Sequence, residues 1–170
     1  LPRLERCWRA GEAFTVDLLG EKTVTEAEAA RYAARVAELL EALIAGTRAW
    51  PPSSLLERDP WGGVPRVNVS VKPTALSPRF TPTTAEEGIA EARARLVPIL
   101  RRAPEAGATI HLDTEHDDAK DATLALLRVL GAEFPDGPQL GCVIQAYRTD
   151  AFRDLCDVVA WSERTLRIPL

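Results

Sequence analysis

The sequence predicts an α/β fold: a partial (β/α)8 TIM-type barrel, about the first four βα units plus the start of a fifth strand. Three observations carry this. Short apolar runs alternate with longer helical patterns, which implies parallel strands joined by right-handed crossovers. Each predicted strand has one apolar and one mixed face, whereas strands of an open sheet covered by helices on both sides tend to be apolar on both. No GxGxxG follows a strand, which argues against a dinucleotide-binding open sheet. A full barrel takes about 250 residues, so a chain of 170 residues reads as half of one.

The first strand is "AFTVDLL" (13–19), with Phe14, Val16 and Leu18 on one face and Thr15 and Asp17 on the other, a period of two. "TEAEAARYAARVAELLEALIAG" follows as a helix. Thr25 and Glu28 have the spacing of a capping box, in which each side chain satisfies a backbone N–H of the other. Tyr32, Val36, Leu39, Leu40 and Leu43 form its apolar stripe, and Gly46 suits the exit. Residues 48–66 are rich in Pro, Gly and Ser and read as a long surface loop within one domain.

"VNVSVK" (67–72) is the second strand, with Val67, Val69 and Val71 opposite Asn68, Ser70 and Lys72; Pro73 then blocks further ladder bonding. Thr84 and Glu87 suggest a second capping box, and Pro98 should kink or shorten the helix it opens. "ATIHLD" (108–113) is the third strand, followed by a helix around "DATLALLRVLG" that ends near Gly131. "GCVIQAY" (141–147) is the fourth, with Gln145 and Tyr147 opposite Cys142 and Ile144. Asp150 suits the cap of a last helix bearing Phe152, Leu155, Val158 and Val159, and "RIPL" begins another apolar segment.

Composition excludes several classes. The net charge is −4 and there is no Lys/Arg block, so no basic nucleic-acid face is expected. No apolar run approaches the roughly 18 residues of a membrane helix, and no signal peptide opens the chain. The three cysteines lack CxxC spacing, which fits a reducing, cytoplasmic setting. The chain holds no Met and opens with Leu1-Pro2, as expected of an excerpt from a longer protein.

A polar residue stands near the C-terminal end of every predicted strand: Asp17, Lys72, Asp113 and Gln145. In a barrel these ends gather at one mouth, where active sites sit. A buried amine there needs an opposite charge, since an unpaired charge out of water is costly. Any one of the four could equally be a solvated loop end; the coincidence of all four points to a site. A rival reading starts from "HLDTEHDDAKD" (111–121), where His111 and Asp113 share a strand face and suit Zn²⁺ or Fe²⁺ in a metal-dependent hydrolase. Only two histidines exist, and Asp117, Asp118 and Asp121 fit a plain helix start as well. A third reading is a non-catalytic half-barrel whose exposed edges self-associate.

"FTVDLLGE", "VNVSVKPTALSPRF", "LDTEHDDAKDATL" and "GCVIQAY" together resemble, in order, the proline dehydrogenase family, including the dehydrogenase domain of bifunctional proline-utilisation flavoproteins. The resemblance implies a barrel holding FAD at its mouth. It implies oxidation of L-proline to 1-pyrroline-5-carboxylate, with electrons passed to a membrane quinone by a cytoplasmic protein at the inner membrane face. It assigns Lys72 to the substrate carboxylate, Asp113 to the polar network around the substrate, and Gln145 to the flavin ring. Glu21 would pair with an arginine that gates the site. The family's arginine-led strand and its paired arginines find no counterpart among these residues, so the chain alone is expected to show little or no activity.

Overall fold

The computed structural model describes residues 1–20 and 22–170. The chain opens with a helix the strand-and-helix pattern did not announce, α1 (Pro2–Arg9). Its Trp8 is buried and donates Nε1–H to the Pro51 carbonyl at 2.8 Å. The Trp8 ring also lies 6.0 Å from that of Trp50, with the Arg66 guanidinium 4.9 Å from its centre. Strand β1 (Val16–Asp17) is shorter than predicted, although Phe14, Val16 and Leu18 all pack on the core.

Helix α2 (Glu26–Thr47) starts as predicted. The Glu28 N–H donates to Thr25 Oγ1 (3.2 Å) and the Thr25 N–H to Glu28 Oε2 (3.0 Å). Tyr32, Val36, Leu40 and Leu43 are its buried face. Gly46 lies inside the helix, not after it; a Cβ there would stand 2.6 Å from the Leu1 side chain. The 48–66 loop is mostly exposed but is not structureless. It folds a small antiparallel hairpin, β2 (Arg58–Asp59) with β3 (Gly62–Gly63). Arg66 ties it down through Glu57 (2.6 Å) and the Thr47 and Trp50 carbonyls (2.8 and 3.1 Å).

Three further strands follow: β4 (Val67–Val71), β5 (Ala108–Leu112) and β6 (Leu140–Cys142). With β1 they make one parallel sheet in the order β1-β4-β5-β6. Val69, Val71, Ile110 and Leu112 are wholly buried against the helices, each contributing about 1.5–3 kcal/mol. Four strands in chain order, alternating with helices, are the arrangement of a partial TIM-type barrel.

Helix α3 (Ala85–Ala106) runs 22 residues with Pro98 and Pro104 inside it, so Pro98 does not end it. The Thr84–Glu87 box does not form: Thr84 Oγ1 donates instead to the Arg79 carbonyl at 2.8 Å, behind a 3-10 turn at Pro82–Thr84. Gly107 closes the helix at φ 61°, a left-handed position that favours glycine. Helix α4 (Lys120–Glu133) extends beyond Gly131, where a Cβ would stand 2.6 Å from the Trp161 ring of helix α5 (Ala151–Thr165).

Three expectations near the end fail. The fourth strand stops at Cys142, because only Val143 N–H continues the ladder, to Leu112 O at 3.0 Å, and Tyr147 is exposed. Asp150 stands at the start of α5 but makes no cap; its carboxylate is drawn to Lys120 and Arg148. On α5 Val158 is buried, while Phe152 is 78% exposed and Leu155 and Val159 face outward. Residues 166–170 join no strand. Among the described residues no helix is long and apolar enough to cross a membrane.

Candidate active site

Strand register brings the polar residues together. Asp17 pairs with Ser70, two residues before Lys72, and Val71 pairs with Leu112, one before Asp113. With side chains alternating, Lys72 and Asp113 emerge abreast at the C-terminal ends of β4 and β5, with Asp17 at the end of β1. Lys72 Nζ reaches Asp17 Oδ2 at 2.9 Å, Asp113 Oδ2 at 2.9 Å and Glu115 Oε1 at 3.0 Å. Its residue is 3% exposed. Pro73 ends the strand and starts a 3-10 turn (Pro73–Ala75), so the Lys72 N–H leaves the ladder and donates to Tyr32 Oη at 3.1 Å. The backbone at the site is thereby fixed to α2.

Burial pushes the Lys72 pKa down, but its bonds to Asp17, Asp113 and Glu115 outweigh it and hold the amine well above the usual lysine range. The group is a permanent cation. Burial raises the Tyr32 phenol above its ordinary value, which keeps it a neutral hydroxyl. One ammonium among three carboxylates leaves the cluster with surplus negative charge. A hollow of about 410 Å³ opens beside it, lined by Gly20, Lys22, Glu115 and His116. Another pocket, about 300 Å³, lies at the far end of β5 around Ala108, Trp61 and Pro138, away from this charge.

Gln145 does not touch Lys72. It lies past the end of β6, 7% exposed, and its Nε2 donates to the Thr114 carbonyl at 3.0 Å. Thr114 sits between Asp113 and Glu115, and its Oγ1 donates to Val143 O at 3.4 Å. Gln145 therefore braces the segment that carries two of the three carboxylates. Its Oε1 is buried and has no protein partner among the described residues. An unpaired buried acceptor costs about 1–3 kcal/mol, and a ring N–H of a flavin would satisfy it. On that count the residues present fit FAD.

Glu115 is the site residue that strand periodicity missed. It lies two residues beyond Asp113, past the strand end, where period two no longer says where a side chain points; the Asp-x-Glu spacing was its one signal. Glu21 lies outside the described residues. The metal reading of His111 and Asp113 finds no ligand set: among the described residues no three His, Cys, Asp or Glu side chains are arranged to hold an ion. Asp113 is engaged by Lys72, and the His111 ring lies over Gly141, where a Cβ would stand 2.5 Å from it. Burial lowers the His111 pKa, which keeps the ring neutral, and pushes the Cys142 thiol up to about 11, so that thiol is not poised as a nucleophile.

The family described as "Proline dehydrogenase" matches residues 1–169. Among solved structures, proline utilization A (PutA) from Bdellovibrio bacteriovorus, inactivated by N-propargylglycine, is 34% identical with a TM-score of 0.89 over 96% of this chain. PutA from Corynebacterium freiburgense is 27% identical with a TM-score of 0.76, also over 96% of this chain. A PutA structure with proline bound in remote sites is 25% identical with a TM-score of 0.75 over 90% of this chain. The chain spans 17%, 15% and 15% of the length of these three proteins. No curated protein matches it.

Proposed function

The chain belongs to the proline dehydrogenase family, and from that premise we propose that it forms the N-terminal half of a barrel that oxidises L-proline to 1-pyrroline-5-carboxylate. Lys72 among Asp17, Asp113 and Glu115 is the observation that carries the reading. Proline is a zwitterion, and the cluster offers a matching pair. The Lys72 point charge suits the substrate carboxylate, and the surplus carboxylates suit the secondary ammonium. Asp113 and Glu115 hydrogen-bond the nitrogen; one of them takes one of its two protons, whose electron pair becomes the C=N bond as the hydride leaves, and the iminium so formed gives the second proton to solvent. FAD, when bound, supplies the acceptor for the hydride that leaves the adjacent carbon. Gln145 Oε1 receives a flavin ring N–H. The family resemblance assigns Glu21 to a pairing with an arginine that gates the mouth. Electrons pass on to a quinone, in a cytoplasmic protein working at the inner membrane face.

The experiment compares the 170-residue chain with a protein carrying the whole barrel, using proline and a dye acceptor. The whole barrel turns over proline; the chain alone does not, because the family's paired arginines are not among its residues. In the whole barrel Lys72→Met raises KM for proline about 10- to 100-fold, the worth of a charge-assisted hydrogen bond of about 1.5–3 kcal/mol. A Lys72→Met barrel with unchanged KM refutes the substrate assignment. A yellow 170-residue chain that oxidises proline refutes the inactivity.

A further inference from the structure

A second ion cluster lies beside the first, and the proposed chemistry makes no use of it. Lys120, the first residue of α4, is 8% exposed. Its Nζ reaches Asp150 Oδ2 at 2.9 Å and Asp154 Oδ2 at 2.5 Å, across to the start of α5, and Asp121 Oδ1 at 3.2 Å. Arg148 grips the same Asp150 through Nε (2.8 Å) and Nη2 (3.0 Å) and also pairs with Asp117. The Arg148 N–H donates to the Gln145 carbonyl at 3.1 Å. The β6–α5 connection is therefore fastened to the β5–α4 side at four places: Val143 O by Thr114 Oγ1, Gln145 on Thr114 O, Arg148 on Asp117, and Asp150 with Asp154 on Lys120.

The Gln145 and Lys120 fastenings bracket one turn, residues 145–150. Gln145 has its Nε2 fixed on Thr114 and its own carbonyl fixed by Arg148. The direction of its free Oε1 then depends on how far the turn stands from the β5–α4 segment, and the buried Lys120 cluster holds that distance together with the more exposed Arg148–Asp117 pair.

We propose that Lys120 is a positioning residue: by drawing Asp150 and Asp154 onto one ammonium it fixes the 145–150 turn and so aims Gln145 Oε1 into the mouth. The aim toward a flavin rests on the proposed function; the tether itself does not. Lys120→Met would leave Asp154 buried without a close cation, since Arg153 stands 3.9 Å away, so Lys120→Met/Asp154→Asn is the cleaner variant. Lys120→Arg keeps the charge.

The test is hydrogen exchange on the full chain, residue by residue, followed by FAD fluorescence titration. In the double variant the Arg148 amide exchanges about tenfold faster while those of Val69 and Ile110 in the sheet do not change. Lys120→Arg restores the wild-type rate. FAD affinity falls about tenfold, in step with the loosened turn. An Arg148 amide that is unaffected, or that loosens only together with the sheet, overturns the tether. A loosened turn with undiminished FAD affinity overturns the aiming. A wild-type chain that takes up no FAD removes the proposed flavin site for this chain and the aiming with it, while the exchange result still decides the tether.

Discussion

Removing the Lys72 ammonium would leave Asp17, Asp113 and Glu115 facing one another without a cation. Breaking a buried ion pair from one side costs about 3–5 kcal/mol, and the partial exposure of the carboxylates brings the expected loss for Lys72→Met to about 2 kcal/mol in urea unfolding. Asp17→Asn removes one of three like charges and stays within about 1 kcal/mol of wild type. The raised amine pKa adds a pH signature. Its stabilisation is full below the unfolded value of 10.5 and is lost as pH rises through the higher folded value. His111 works at the acid end. Its folded pKa lies below 6.5 because burial disfavours the imidazolium. The unfolded chain therefore binds the extra proton as pH falls below 6.5, and stability declines with it. Urea midpoints taken between pH 7 and 5 show that decline, and His111→Gln lessens it. At this scale Asp17, Lys72 and Asp113 were legible because strand alternation fixes a side chain's face. Glu115 was not, because alternation stops where the strand does.

At the scale of elements, one motif gave two outcomes. Thr25 and Glu28 cap α2 reciprocally, while Thr84, with the same spacing to Glu87, turns its hydroxyl to the Arg79 carbonyl. A local pattern cannot reveal that a carbonyl from an earlier turn will compete. Strands β4 and β5 were legible at full length because each is paired on both sides; β1 and β6 lie at the edges and shrink to what their single neighbour supports. The two mid-helix glycines make a sharper test. Alanine gains about 1 kcal/mol of helix propensity over glycine. At Gly46 the obstructing group is the Leu1 side chain, 51% exposed and free to swing away, so Gly46→Ala is stabilising by about 0.5–1 kcal/mol. At Gly131 it is the Trp161 ring wedged between α4 and α5, so Gly131→Ala is destabilising by about 1–3 kcal/mol. Urea midpoints moving in the same direction for both would refute the packing argument.

Across the whole molecule, the alternation of strands and helices was enough to give the sheet its parallel order. What it did not give was the outer surface of α5. Phe152, Leu155 and Val159 repeat at helical spacing yet point to solvent. Period and hydrophobicity say that a face will be covered, not by what. In the 170-residue chain studied alone, a second copy is the available cover, and light scattering at about 100 μM is expected to show association. Phe152→Glu with Leu155→Glu abolishes it; a wild-type chain that stays monomeric refutes it. The whole molecule also inherits a constraint from the engaged lysine. That ammonium already stands within 3.0 Å of three carboxylates, so an arriving anion is admitted by eviction. Asp17, 39% exposed and carried on a two-residue strand, is the tenant with the weakest lease. Filling the mouth and holding the Asp17 carboxylate are thus competing demands, and a guest at the rim leaves the first strand to its backbone pairing with β4 and its apolar packing.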